Sequence, residues 1–311
     1  MDDLLVVGLA GFVASLVDGA LGMGFGPTSS SILLSSGISP AAASTTVNLA
    51  KVVTGLVSGA SHWRFGNVDR ELVLRLAIPG VVGALIGTTV LVNVDGDDLR
   101  PVLAVVLLVV GLRILVRFSR LLPTQPDREP EVGTADDPSF HLRGVEVAAA
   151  AGGVTNGLVG AWGPVVTPFL LHRGLPPRYA VGSVNTAEVA VAVVAAGSLL
   201  TSMGGEGLEV GVVLAMLGGG MLAAPMAAYV VRYVPPRLLG LAVAALLLAT
   251  QVRELVGAFD VDGLRWLAYG LIPVLLLAAG QRPRWSAARA ARVGSAAAPI
   301  EPTLVSVLRS R

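Results

Sequence analysis

The chain has 311 residues, 54% hydrophobic and 14% charged, with a formal net charge of +1. A soluble domain carries about 25% charged residues, so this composition excludes an ordinary soluble fold, and no basic stripe is present for nucleic acid. There is no cysteine for disulfides, thiol catalysis or thiolate metal sites, and the three scattered histidines, His62, His141 and His172, suit no metal centre.

Charged clusters divide the sequence into apolar blocks at 4–36, 41–61, 72–94, 101–118, 144–171, 179–203, 208–231, 237–257 and 264–280. Uncharged runs of about 18 residues or more read as membrane spans. Residues 19–50, 76–94, 147–172 and 210–231 contain no Asp, Glu, Lys or Arg. The start Met1-Asp2-Asp3 lacks the positive leader of a cleavable signal peptide, so the first block is expected in the mature protein.

The first block is interrupted. Gly19, Gly22, Gly24, Gly26 and Pro27 precede Thr28, Ser29, Ser30 and Ser31. Glycine weakens a helix and proline removes an N–H, yet proline fits the first turn of a new helix. A half-helix is therefore predicted from near Pro27. Its start presents free N–H groups and the positive end of a helix dipole, which suits an anion, and the hydroxyls of Thr28, Ser29 and Ser30 add donors. Asp18 reads either as a cap of the break or as a second protonatable group.

Block 41–61 holds Thr45-Thr46-Val47-Asn48-Leu49-Ala50-Lys51, and Lys51 is the single lysine of the chain. In the turn that follows, Trp63 is expected as an interfacial anchor and Asn67 or Asp69 as the cap of the next helix. Residues 119–142, with Pro123, Pro126, Pro130 and Pro138, read as a disordered connector. Beyond it Gly157, Gly160, Gly163 and Pro164 precede Thr167 and Pro168, which predicts a second half-helix from near Pro164. Gly182-Ser183-Val184-Asn185-Thr186-Ala187-Glu188 follows. Block 264–280 reads as a final span and 281–311, with six arginines and one acid, as a mobile tail.

The two halves align. A shift of 137 residues places 26–52 on 163–189 without a gap and with eleven of 27 positions identical, including Leu33/Leu170, Gly37/Gly174, Pro40/Pro177 and Asn48/Asn185. Internal duplication accounts for this. Arginine placement puts loop 62–75 in the cytoplasm, acidic loop 93–100 outside and region 113–143 inside; in the second half it puts 172–178 inside, 203–209 outside and 232–237 inside. Block 144–171 then begins and ends on the cytoplasmic side and must re-enter, and block 4–36 must do so from outside. The expected fold class is all-α: a polytopic helical membrane protein of two homologous, inverted repeats, each a broken re-entrant helix pair plus three spans, with one extra C-terminal span. Parallel repeats of four full spans are the alternative. The chain divides into repeat 1–118, cytoplasmic linker 119–142, repeat 143–257, final helix 258–280 and basic cytoplasmic tail 281–311.

These features point to a secondary transporter moving a small anion across the cytoplasmic membrane. Substrate binding is assigned to Gly26, Pro27, Thr28, Ser29, Asn48, Lys51, Gly163, Pro164 and Asn185, and the coupling proton to Glu188 and Asp18. Ionisable groups inside a membrane are costly and face a cavity or pair with one another, so a purely structural Lys51–Glu188 pair is the alternative role. There is no G-x-x-x-x-G-K-[ST] motif for ATP hydrolysis. An anion channel is the second reading; an intramembrane enzyme is a weaker one, because no histidine sits beside the buried serines. No cofactor, metal or nucleic acid is expected. The partners are the anion, protons and the lipid bilayer, and the oligomeric state, a homo-oligomer included, stays open.

The chain also resembles the sulfite exporter TauE/SafE family. The likeness rests on the duplicated breaks Gly22-Met23-Gly24-Phe25-Gly26-Pro27 and Gly160-Ala161-Trp162-Gly163-Pro164, on Gly37-Ile38-Ser39-Pro40-Ala41-Ala42-Ala43-Ser44-Thr45-Thr46, and on Ser183-Val184-Asn185-Thr186-Ala187-Glu188. The loop Ser61-His62-Trp63-Arg64-Phe65-Gly66-Asn67-Val68-Asp69 is similar to one found in a branch of that family, and the likeness covers residues 4–280. It implies proton-linked export or uptake of sulfur-containing or organic anions such as sulfite, sulfoacetate or related sulfonates. Lys51 stands where relatives often carry an acid, which implies a difference in substrate charge or coupling.

Overall fold

The computed structural model describes residues 2–21, 23–119, 142–204, 210–230, 236–259 and 270. These form ten helices: α1 (Asp2–Leu21), α2 (Phe25–Ser35), α3 (Pro40–Arg64), α4 (Arg70–Asn93), α5 (Gly96–Ser119), α6 (Val145–Val159), α7 (Gly163–His172), α8 (Pro177–Ser202), α9 (Val210–Val230) and α10 (Pro236–Ala258). The expected span at 264–280, the basic tail and nearly all of the linker lie outside the described residues.

Local sequence explains where the helices start and stop. Ser39 caps α3, its hydroxyl accepting from the Ala42 N–H at 3.3 Å, with Pro40 in the first turn. Asp69 caps α4, accepting from the Leu72 N–H at 3.1 Å; of the two expected caps, Asp69 takes the role and Asn67 does not. The short helices α2 and α7 end alike. At α2, Gly37 adopts φ 87°, its N–H donates to the Leu34 carbonyl at 3.0 Å, and the Ile38 N–H donates to Leu33 at 3.1 Å. At α7, Gly174 adopts φ 88°, its N–H donates to Leu171 at 3.1 Å, and the Leu175 N–H donates to Leu170 at 3.1 Å. Both are Schellman closures, which need a residue tolerant of the left-handed region at that point.

Long helices pair through small residues. The main partners are α4 with α6, α1 with α9, α3 with α8, and α5 with α10. A side chain on Gly153 of α6 would fall on the Gly80 carbonyl of α4, and one on Gly219 of α9 on the Gly8 carbonyl of α1. Small residues at such crossings let helix backbones approach closely, as is usual in membranes.

The distribution of polarity is that of a membrane protein. Large apolar side chains face outward, among them Leu5, Val57, Ile78, Leu214, Met221 and Leu238. Hydroxyls and amides lie inside: Thr28, Ser29, Ser44, Thr45, Asn48, Asn156 and Ser183 are fully buried. Helices α4 and α5, with Arg178–Ser202 of α8 and Gly240–Ala258 of α10, are long and apolar enough to cross a bilayer, and Leu4–Asp18, Val145–Val159 and Val210–Ala223 are shorter apolar stretches. With about 1.5 Å of rise per residue, α2 and α7 are roughly 15 Å long, half of a hydrocarbon core. The protein is an all-α, polytopic helical membrane protein.

Candidate functional site

Both predicted interruptions are present. In the first, α1 ends at Leu21, Gly24 adopts φ 125° and α2 begins at Phe25. The Phe25 N–H at the start of α2 donates to the Asp18 carboxylate at 3.3 Å, so Asp18 caps this break. In the second, α6 ends at Val159 and Gly160 adopts φ 67°. Here the Thr155 hydroxyl donates to the Ala161 carbonyl at 2.9 Å. Asp18 and Thr155 correspond under the 137-residue shift, and each binds the backbone of its own break.

The two breaks meet. A side chain on Gly26 would fall on the Gly160 carbonyl, and Gly163 lies against Met23. The Ser30 hydroxyl donates across the junction to the Val159 carbonyl at 2.8 Å, and Ser44 of α3 donates to the Gly157 carbonyl at 2.7 Å. Gly26, Pro27 and Pro164 are buried at this junction, with Gly163 half-buried.

The three hydroxyls expected to serve an anion differ in what they do. Ser29 donates to the Phe25 carbonyl within α2 at 2.7 Å, and Ser30 is spent on Val159. Thr28 is completely buried and its hydroxyl has no partner among the described residues; Thr167 in α7 is 1% exposed and its hydroxyl has none among them either. Each partnerless hydroxyl thus lies in the opening turns of one half-helix.

A polar chain runs from these breaks into α3 and α8. The Lys51 ammonium forms an ion pair with Glu188, donates to the Asn156 side-chain oxygen at 2.8 Å, and donates to the Gly160 carbonyl. Asn156 donates to the Asn48 side-chain oxygen at 2.7 Å, and Asn48 donates to the Ser44 carbonyl at 2.9 Å and to the Asn156 carbonyl at 3.3 Å. Lys51 and Glu188 sit at corresponding places in the two halves, and the α3–α8 contact brings them together. Asp18 lies within electrostatic reach of both. Asn185 is elsewhere: it donates to the Ser58 hydroxyl at 2.9 Å and links α8 to α3 away from the junction.

Asn156 and Thr167 belong to the site but were not assigned to it from sequence. Asn156 falls opposite Gly19 under the shift, so the duplication gives no signal for it. The available clue was a lone amide in an uncharged apolar run, one turn before a glycine break. Ser31 joins a second polar knot, accepting from Gln251 of α10 at 2.7 Å and lying 2.6 Å from the Thr250 hydroxyl, which fastens α2 to α10.

An apolar exterior around buried, paired helix breaks is the pattern of a multi-pass membrane protein. The family model described as "Sulfite exporter TauE/SafE" matches residues 7–253. The chain belongs to this family of membrane transporters. It is 40% identical over 257 residues, 82% of this chain and 84% of the other, to "Probable membrane transporter protein YtnM" of Bacillus subtilis (strain 168). No solved structure matches.

Proposed function

We propose that the protein is a proton-coupled secondary carrier for a small anion, a sulfite, a sulfonate or a related sulfur-containing or organic anion, in the cytoplasmic membrane. The observation that carries this reading is the junction of two interrupted helices with a partnerless buried hydroxyl in the opening turns of each half-helix, Thr28 and Thr167. Half-helix starts favour anions through their dipoles and free N–H groups, and transporters place such starts at the substrate. In this reading Gly26, Pro27, Gly163 and Pro164 form the junction at which the anion binds, Asn48 and Asn156 lie beside it, and Lys51 supplies a cation. Ser29 and Asn185 support the frame. Glu188 is the proton acceptor, with Asp18 as a cap and a second acidic group. The family name and the relative's printed description support transport; the substrate class rests on the family name and on the site chemistry.

The test is uptake into proteoliposomes of labelled sulfite, sulfoacetate and sulfate, with and without an imposed pH gradient. Saturable uptake accelerated by a proton gradient is expected. Current that rises linearly with voltage and does not saturate marks a channel instead, and no flux of any of the three removes this reading.

A further inference from the structure

An ammonium has three hydrogens to donate. The Lys51 group has three acceptors: the Glu188 carboxylate, the Asn156 side-chain oxygen and the Gly160 carbonyl. Lys51 itself is 5% exposed. Lys51, which touches the second break, is therefore fully engaged in this arrangement and has no hydrogen left for a substrate. Arg117 of α5 reaches the Met23 sulfur in the first break at 3.3 Å. Two of the Lys51 acceptors belong to α6 and the second break, so the ammonium is docked on the backbone that the anion must reach.

From this we infer that the Lys51–Glu188 pair is a proton-operated latch, in which protonation of Glu188 frees Lys51 to hold the anion. The inference rests on the proposed anion site. The balance is simple. A proton from solution adds to the Glu188 carboxylate, Lys51 stays an ammonium, and the pair goes from neutral to a single positive charge. Arrival of a monoanion restores neutrality. The empty, deprotonated site and the loaded, protonated site then carry equal charge, whereas either ligand alone leaves an uncompensated charge in a low-dielectric interior, which is strongly unfavourable. Proton and anion consequently bind together, and each strengthens the other by the same factor. Coupling arises without a large rearrangement, because one carboxylate competes with the substrate for one cation.

The charged groups around Glu188 are consistent with this arithmetic. Lys51 faces it from α3, and Asp18 on α1 lies within electrostatic reach of both. Helix α4, which packs against α8, has Arg70, Glu71 and Arg75 in its first turns and no ionisable residue from 76 to 93. Helix α2 has none, α6 has Glu146 in its first turn, paired with Arg75, and α7 has His172 in its last. Asp18 is the other acid within reach of Lys51, and proton uptake that survives loss of the Glu188 carboxylate would assign the proton to it. Asn156 is a positioning residue here: it holds Lys51 toward the break and is itself fixed by Asn48.

Proton uptake on anion binding tests the latch in purified, detergent-solubilised protein at weak buffering. Methanesulfonate and ethanesulfonate are suitable probes, because each is a monoanion whose charge does not change near neutral pH. The wild type is expected to take up one proton per anion, and its affinity to fall about tenfold per pH unit once Glu188 has lost its proton. Glu188→Gln mimics the protonated acid; its anion affinity should be flat with pH and its proton uptake absent, while Glu188→Asp should keep the uptake. Anion binding by the wild type with no proton uptake overturns the latch and leaves the anion site standing. Uptake that persists in Glu188→Gln moves the proton elsewhere and also overturns it. If the wild type binds neither anion, the site itself falls and the latch with it.

Discussion

Thr28 and Thr167 hold hydroxyls that are shut away from solvent and make no hydrogen bond to the described residues. Burying such a group unpaired costs about 1 to 3 kcal/mol, and replacing it by an apolar group of the same shape removes that penalty. A substitution made for stability alone would therefore favour valine. The expected result of Thr28→Val and Thr167→Val is unchanged or raised thermal stability of the empty protein, read as the melting temperature in detergent. Anion affinity, read by uptake kinetics, should fall about tenfold or more, the worth of a hydrogen bond to a charged group. Lys51 gives the opposite pattern. Its side chain and that of Glu188 are 6% and 15% exposed, and removing one partner of a buried pair costs about 3 to 5 kcal/mol, whereas replacing both by apolar residues is often neutral. Lys51→Met should lower the melting temperature markedly, and the double change Lys51→Met with Glu188→Leu should restore most of it without restoring transport. A double variant that transports normally would show that the pair serves only the frame.

At the scale of helices, the contact faces explain which glycines matter. Gly153 lies against the Gly80 backbone, whereas Gly197 of α8 faces open space. Gly153→Ala has to push α6 from α4 and should destabilise by about 1 to 3 kcal/mol, as overpacking does. Gly197→Ala should stabilise by up to about 1 kcal/mol through helix propensity. Melting temperatures of the two variants check the contrast. The half-helices and their ends were legible in the sequence because Gly-Pro pairs and Gly-x-x-Pro turns have local backbone causes; α2 begins two residues before Pro27 and α7 one before Pro164. The meeting of Lys51 with Glu188 was legible too, through their matched positions in the duplicated segment. What stayed hidden depends on contacts between distant helices. The quenching of the Ser29 and Ser30 donors needs the rotamers and the neighbouring break, the placement of Asn185 on Ser58 needs the α3–α8 register, and Asn156 breaks the repeat pattern altogether.

Among the described residues, the four main helix partnerships keep their form when the two five-helix sets are exchanged, whereas the strong α4–α8 contact has only a weak counterpart in α9–α3. Swapping α1 with α6 and α9 with α4 turns one main contact into the other, and the α3–α8 and α5–α10 contacts map onto themselves. A two-fold relation of this kind allows two orientations of its axis in a bilayer. An axis in the membrane plane places the turn after α2 and the turn after α7 on opposite surfaces; an axis along the normal places both on one surface. The arginine distribution favours the first: Arg173 and Arg178 flank the turn after α7, while no charged residue lies in 19–50 around the turn after α2. An inverted pair also gives a carrier two mirror-related ways to open around one fixed junction. The chain contains no cysteine, so single thiols report without background. Ser36 and Arg173 occupy equivalent exposed helix-end positions, beside but not at the glycines whose backbone resists a side chain. In intact cells a membrane-impermeant maleimide is expected to label Ser36→Cys and to spare Arg173→Cys until the membrane is permeabilised. Equal labelling of both from outside would place the two turns on one surface and make the repeats parallel, and the junction would then need a rocking motion about the membrane normal to reach both sides.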